Sequence, residues 1–262
     1  MTSPPGRTGA GSETNTAAGT GTGTGTTVAA PADPRGPGEL VRPDGLRRRI
    51  AAHMVRSLAT SPHAAMAVEV RFDAVEADRA TRGDRPPGML AYLARATAQA
   101  LTEFPMANAS WEEAGIRVFE QVNLGIAVDL RHEGLVVPVV HRANELDLTT
   151  LHDRITDVTA RAHQRRLGVT DMTGGTFTLS SLGRSGTLFT VPVINQPQAA
   201  ILSFDSVADR PVVVREGGRP RLDVGRVAVL TASFDHRVFD GAYCAAFLGR
   251  VRHLVESAAD QR

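Results

Sequence analysis

Extended apolar segments that follow one another without an intervening helix restrict the fold of this chain more than any other feature. GIRVFE and VNLGIAVDL occupy residues 115–130, and four further segments lie between residues 175 and 236. Short apolar or alternating runs bounded by turn residues are typical of β-strands. We expect GIRVFE and VNLGIAVDL to pair as a hairpin. This pattern favours a mixed sheet over a regular βαβ repeat.

Amphipathic helices are predicted between these groups of strands. The first begins after Asp44, which can cap its amino end, and runs through LRRRIAAHMVRSLATS. Pro62 ends this helix, and the alternating AMAVEVRFD follows as a strand. Helical spacing of apolar residues recurs in residues 88–104, 147–167 and about 240–257. The sequence therefore predicts an α/β fold, a mixed sheet with flanking helices.

The first 40 residues differ in composition from the rest. They contain GTGTGTGTT, several prolines and almost no large apolar side chain, so they cannot bury enough surface to offset the entropy of ordering. We predict a disordered tail over residues 1–40 and one domain over residues 41–262. A linker to a separate module is the alternative interpretation of the tail.

Several classes of protein are disfavoured by composition. The formal net charge of +1 gives no reason to expect nucleic acid as a partner. No apolar run reaches the roughly 20 residues of a membrane helix, and the amino end lacks the apolar core of a secretory signal, which predicts a cytoplasmic protein without membrane contact. One cysteine excludes a disulfide within the chain, and the eight histidines show no metal-ligand spacing.

Charge is uneven in one place. Arg47, Arg48 and Arg49 crowd the start of the first predicted helix, where they oppose the helix dipole, so we expect acidic partners for them elsewhere in the fold. All 29 basic residues are arginine, and these 262 residues contain no lysine. The chain as given therefore holds no site for a Schiff base or a lipoyl-lysine.

The segment SFDHRVFDG at residues 233–241 carries the first candidate chemistry. His236 stands at the end of a predicted strand, where a histidine is held rigidly and can act as a general base near neutral pH. Asp240 can cap the following helix, and Gly241 allows close approach of another group. The alternative is that these residues only shape a turn.

A second segment, GTFTLSSLGRSG, ends an extended run in two serines. Ser180 and Ser181 point to opposite faces if the strand continues, and one of them can donate a hydrogen bond to a developing oxyanion. The alternative is a turn made of serine and glycine. A serine nucleophile is disfavoured because no G-x-S-x-G elbow surrounds these residues.

Together the two segments resemble the catalytic domain of dihydrolipoyl acyltransferases, the core components of 2-oxo acid dehydrogenase complexes. The resemblance runs over residues 45–257 and includes the helix GLRRRIAAHMVRSLATSPH and the middle segment NLGIAVDLRHEGLVVPVVH. It implies the chloramphenicol acetyltransferase-like fold and an acyl-coenzyme A-dependent acyltransferase. It also implies His236 as general base, Ser180 as oxyanion donor and Asp240 as the residue that holds the catalytic loop.

The same resemblance implies acetyl-coenzyme A as acyl donor and a homotrimer with active sites between subunits. About 40 residues precede the domain, and the chain ends in the polar segment ESAADQR. We therefore expect a free trimer that carries no lipoyl group of its own. The leading expectation is acetylation of a small-molecule hydroxyl, as in tetronate polyketide biosynthesis. The alternatives are acyl transfer to dihydrolipoamide on another chain, and a non-catalytic trimeric scaffold.

Overall fold

The computed structural model describes residues 38, 40–131, 133–183 and 185–258. The predicted tail therefore lies almost entirely outside the described residues. Described residues from Pro43 onward belong to one compact unit. Across the described ranges, no helix is both long and apolar enough to span a bilayer.

Five helices make up the larger helical elements of the described chain. They are α1 (Gly45–Thr60), α2 (Asp73–Ala80), α3 (Met89–Glu103), α4 (Leu148–His163) and α5 (Gly241–Glu256). Aspartate side chains cap three of them: Asp44 accepts from the amide of Arg47, Asp147 from that of Thr150, and Asp240 from that of Tyr243. A carboxylate at this position pairs an otherwise free helical N–H group and opposes the positive end of the dipole. The helix starts are thus encoded locally.

The strands are β1 (His63–Arg71), β2 (Ala109–Glu112), β3 (Gly115–Val118), β4 (Leu124–Ile126), β5 (Val128–Asp129), β6 (Leu135–Val136), β7 (Val139–Val140), β8 (Phe177–Ser181), β9 (Ala200–Phe204), β10 (Ala208–Glu216) and β11 (Arg219–Asp235). Seven form one sheet in the order β1-β11-β9-β8-β4-β7, with β10 also paired to β11. The β8–β9 and β4–β8 pairs are parallel and the other pairs of this sheet are antiparallel. The predicted mixed sheet with flanking helices is confirmed.

Two local predictions were wrong. GIRVFE does not pair with VNLGIAVDL; β3 pairs with the preceding β2, and the segment 122–130 divides between β4 in the main sheet and the short β5. The sequence does not predict helix α2, because the alternation in AMAVEVRFD predicts a strand that continues through Asp73. Only Val75 and Asp78 are buried in this eight-residue helix, so it lacks the apolar periodicity by which a longer helix is recognised.

The two faces of the main sheet differ in chemistry. Residues paired across strands share a face, and the face holding Phe177, Leu202 and Phe234 packs against α5, where the Phe177 and Phe247 ring centroids lie 5.9 Å apart. The opposite face, which we call the polar face, is rich in hydroxyl and carboxylate groups: it carries Thr178, Ser180, Ser203, Asp205, Thr231, Ser233 and Asp235. The segment 187–198 covers part of it, with Asn195 donating to Thr178 Oγ1 at 3.3 Å. Both serine and histidine candidates depend on this sheet for their position.

Candidate active site

His236 lies immediately after β11, at the start of the turn that leads into α5. Its backbone N–H donates to Pro62 O at 3.0 Å, so the turn is tied to the start of β1. The side chain is exposed, and its ring lies 5.8 Å from the Phe234 ring. Among the described residues no group forms a hydrogen bond with the His236 ring. Both ring nitrogens are therefore available to a substrate.

Asp235, the residue before His236, is 2% exposed and holds the turn from the inside. Its carboxylate accepts hydrogen bonds from Ser61 Oγ at 2.6 Å, from Arg237 Nη2 at 2.6 Å and from the Arg237 amide at 3.0 Å. Burial raises the pKa of the Asp235 carboxyl, but these hydrogen bonds and the charge of Arg237 together hold it below its ordinary value. The carboxylate thus stays ionised near neutral pH. Sequence reasoning did not single out this residue.

Asp240 is exposed and acts as the amino-terminal cap of α5, accepting from the Tyr243 amide at 2.9 Å. Within the described part of the chain it forms no hydrogen bond with His236. Gly241 starts the helix, and a Cβ there would meet only Met66 Sδ at 3.7 Å, an ordinary contact. Within one chain, therefore, no close approach requires glycine at this position.

Replacing Asp240 by alanine should lower the free energy of unfolding by about 1 kcal/mol, the usual cost of losing a helix cap. Asp240→Ser keeps a capping oxygen and should stay close to the wild type. Urea denaturation of the three proteins measures the difference. If Asp240→Ser instead lost turnover as severely as a His236 variant, the carboxylate would be taking part in the chemistry rather than only capping α5.

Ser180 lies near the carboxyl end of β8, on the polar face, and pairs with Ser203 of β9. It is half-buried, and its hydroxyl has no hydrogen-bond partner among the described residues. Ser181 pairs with Phe204 and so points to the other face, where it lines a pocket together with Ile126 and His163. The expectation that the two serines face opposite sides is met, and Ser180 is the one whose hydroxyl lies among polar groups.

One chain does not bring His236 and Ser180 together. Ser180 pairs with Ser203, Ser203 pairs with Thr231, and His236 lies five residues beyond Thr231 along β11. At about 3.3 Å per residue along a strand and about 4.8 Å between strands, their Cα atoms are roughly 19 Å apart. Because β8 and β11 run in opposite directions, the two residues lie at opposite ends of the sheet.

The sequence profile of the family described as 2-oxoacid dehydrogenases acyltransferase (catalytic domain) matches residues 37–261. The chain belongs to this family. It is 37% identical over 220 residues to the lipoamide acyltransferase component of the branched-chain alpha-keto acid dehydrogenase complex of Bacillus subtilis, covering 81% of this chain and 51% of that protein. The acyltransferase chain therefore spans about half of this relative's length.

Solved structures support the same membership. A probable dihydrolipoamide acetyltransferase from Listeria monocytogenes superimposes with a TM-score of 0.79 at 32% identity, covering 84% of this chain and 95% of that one. For the Azotobacter vinelandii dihydrolipoamide acetyltransferase the TM-score is 0.78 at 29% identity, covering 85% and 93%. In that enzyme a serine, a histidine and an asparagine four residues after the histidine were investigated for their role in catalysis. His236 and Asp240 have the same spacing.

Chloramphenicol acetyltransferase shares the fold of this acyltransferase domain. Its TM-score is 0.50 at 12% identity, and the match covers 83% of this chain and 99% of that one. The predicted chloramphenicol acetyltransferase-like fold is thereby confirmed.

Two other reactive side chains of the acyltransferase domain, His63 and Cys244, are paired or buried within the chain. His63 donates from Nδ1 to Ser61 O at 2.8 Å, and its Nε2 accepts from the Ile194 amide at 3.1 Å, so it has no free nitrogen for a substrate. Cys244 is buried in α5, and burial raises the pKa of its thiol to about 12, which suits a packed thiol and not a nucleophile. In the described ranges no three metal-ligating side chains gather.

The arginines at the start of α1 differ from expectation. Arg47, Arg48 and Arg49 are exposed, and none forms an ion pair with a described acidic residue; Arg48 Nη1 instead donates to Pro43 O at 2.8 Å. The predicted acidic partners are thus absent from the described part of the domain. Water can solvate exposed guanidinium groups, which removes the need for a partner that the dipole argument assumed.

Proposed function

We propose that this chain transfers an acyl group between coenzyme A and an acceptor thiol or hydroxyl, with His236 of one chain and Ser180 of a neighbouring chain in the same site. One observation carries the proposal. Both groups lack an internal hydrogen-bond partner among the described residues, yet the sheet register separates them by roughly 19 Å in one chain. A second chain can supply what each end of the sheet lacks.

The proposed reaction uses one base and one oxyanion donor. His236 takes the proton from the acceptor S–H or O–H as that atom attacks the thioester carbonyl, and the carbonyl oxygen becomes an oxyanion that accepts a hydrogen bond from Ser180 Oγ. Collapse of the tetrahedral intermediate breaks the C–S bond to coenzyme A. The departing thiolate takes the proton from the imidazolium, which restores the base. No covalent acyl-enzyme forms.

The proposed acceptor is a dihydrolipoyl group carried by another chain. Family membership and the relatives named above as lipoamide or dihydrolipoamide acyltransferases support this acceptor. These 262 residues contain no lysine, so a lipoyl group cannot be attached within them. The sequence alone favours the small-molecule hydroxyl of a tetronate pathway as acceptor. The family and the relatives named above give that acceptor no support, and it stays a prediction.

The proposed assembly is a homotrimer. The hairpin of β10 and β11 supports self-association, because Val213, Leu222 and Val224 share one face of it and are exposed in the single chain. A two-stranded hairpin with an uncovered apolar face is only marginally stable in water. Burial of that face against a second copy would offset this.

The acceptor is tested by incubating the protein with acetyl-coenzyme A and either dihydrolipoamide or a hydroxymethyl tetronate. We expect acetyl transfer to dihydrolipoamide, measured as free coenzyme A separated from acetyl-coenzyme A by chromatography, at a rate above the uncatalysed one. Transfer to the tetronate alone would replace the proposed acceptor by the small-molecule hydroxyl. Turnover with neither, in a folded trimer, would favour the scaffold interpretation.

A further inference from the structure

The position of the His236 ring depends on the backbone of its turn. No described side chain forms a hydrogen bond with the imidazole, and the one aromatic ring near it in the described ranges is Phe234, at 5.8 Å between centroids. The backbone of residue 236 is anchored by the bond from its N–H to Pro62 O. Any group that fixes the residues on either side of His236 therefore sets the direction of the base.

Asp235 and Arg237 flank His236 and bind each other across it. The Arg237 guanidinium donates from Nε to Asp235 Oδ1 at 3.0 Å and from Nη2 to Asp235 Oδ2 at 2.6 Å, and the Arg237 amide donates to Oδ1 at 3.0 Å. Two parallel N–H···O bonds between a guanidinium and a carboxylate define the relative orientation of both groups. The backbone on both sides of the base is thus fixed by one bidentate pair.

This pair is connected to three other parts of the fold. Ser61, which follows α1, donates to Asp235 Oδ2 at 2.6 Å, and Gln196 Nε2 donates to Ser61 Oγ at 2.7 Å. On the other side, the Arg237 guanidinium lies 4.9 Å from the ring centroid of Trp111 in β2. The turn is therefore held from α1, from the segment that covers the polar face, and from the β2–β3 hairpin.

Stability alone is a weak reason for such an arrangement. A buried carboxylate must be desolvated, and a buried ion pair seldom stabilises a fold more than well-packed apolar residues would. What the pair does supply is a defined geometry beside a residue whose ring has no other support. Displacements of about 1 Å near a reacting group can cost about 10²-fold in rate.

We propose that Asp235 and Arg237 are positioning residues for His236: with Ser61 and Trp111 they hold the turn so that the imidazole meets the acceptor proton. The inference rests on the proposed role of His236 as general base. Neither residue is assigned a contact with substrate or a proton-transfer step.

Asp235→Asn and Arg237→Gln test the inference in the whole 262-residue chain. Each should lower kcat by about 10- to 10²-fold while the KM for acetyl-coenzyme A stays within about twofold, because substrate binding is left intact and the base is misdirected. Arg237→Lys, which keeps the charge but not the bidentate geometry, should recover only part of the loss. The double variant should be little worse than either single variant, since the two residues act as a unit.

Asp171→Asn is a matched control. Asp171 also accepts from an arginine side chain and from a backbone amide, namely Arg161 Nη1 at 2.5 Å and Gly168 N at 2.8 Å, and neither partner belongs to the His236 turn. We expect its kcat to equal that of the wild type. Thermal unfolding and size-exclusion chromatography of every variant report whether the trimer is folded.

Three results would overturn the inference: an unchanged kcat in Asp235→Asn, a rise in KM that accounts for the whole loss, or an equal loss of kcat in Asp171→Asn. Ser61→Ala removes one hydrogen bond to the same carboxylate and should lower kcat less than Asp235→Asn does. If Asp235→Asn does not fold, Ser61→Ala replaces it as the test. If His236→Ala is inactive while Asp235→Asn has full activity, only this inference fails. If His236→Ala retains activity, the proposed function fails first.

Discussion

Replacing His236 by alanine should lower kcat by about 10²–10⁴-fold, the usual loss on removal of a positioned general base. The His236 ring is exposed and forms no hydrogen bond with a described residue, so we expect its removal to leave the fold intact and the unfolding transition unchanged. The steady-state rate at which free coenzyme A forms from acetyl-coenzyme A and dihydrolipoamide, with the two coenzyme A species separated by chromatography, measures kcat.

His253→Ala is the control for this result. His253 is an exposed histidine in the last turn of α5, and its loss should leave kcat unchanged. If His236→Ala kept wild-type turnover with every acceptor, the hypothesis that His236 takes part in acyl transfer would be rejected. The base would then have to be another group, and the role proposed for His236 would fail.

Mixing two inactive variants should restore turnover. Ser180→Ala should lower kcat by about 10²–10³-fold, as for other oxyanion donors, and His236→Ala by at least as much. In a site built from two chains, a Ser180→Ala chain supplies the histidine and a His236→Ala chain supplies the serine. After subunit exchange at equal amounts, about a quarter of the sites in a closed ring combine both intact residues.

The mixing result depends on proven exchange. Native mass spectrometry of the mixture should show hybrid trimers, and a mixture kept below the temperature of exchange should have only the summed activity of its parents. Hybrid trimers with no gain in turnover would show that His236 and Ser180 do not act in one site. That outcome would remove the two-chain active site while leaving family membership unaffected.

Much of the fold is encoded locally. Asp44, Asp147 and Asp240 each begin a helix because a carboxylate pairs the free N–H groups of the first turn, and such residues can be read from the sequence. The pairing of β2 with β3 could not be read in the same way. Residues 109–112 are too few to show alternation, so GIRVFE was paired with the longer apolar segment that follows it.

The candidate site likewise contains residues that a local sequence pattern indicates and residues that it does not. His236 and Ser180 stand out because a histidine or a serine pair at the end of an apolar strand is a local pattern. The Asp235 network is not local: Ser61 lies 174 residues away in the sequence, and Gln196 reaches it from a third segment. The only signal for it was the charged pair on either side of His236 in DHR, which periodicity does not explain.

Because β8 and β11 are antiparallel, the proposed site restricts how copies of the chain can associate. In the proposed two-chain site, each chain offers a base at one end of its sheet and an oxyanion donor at the other, so contacts that complete the sites run head to tail. A closed ring then has as many complete sites as chains. An open row of the same chains always ends in one unmatched histidine and one unmatched serine, so the proposed site makes ring closure a condition for full activity.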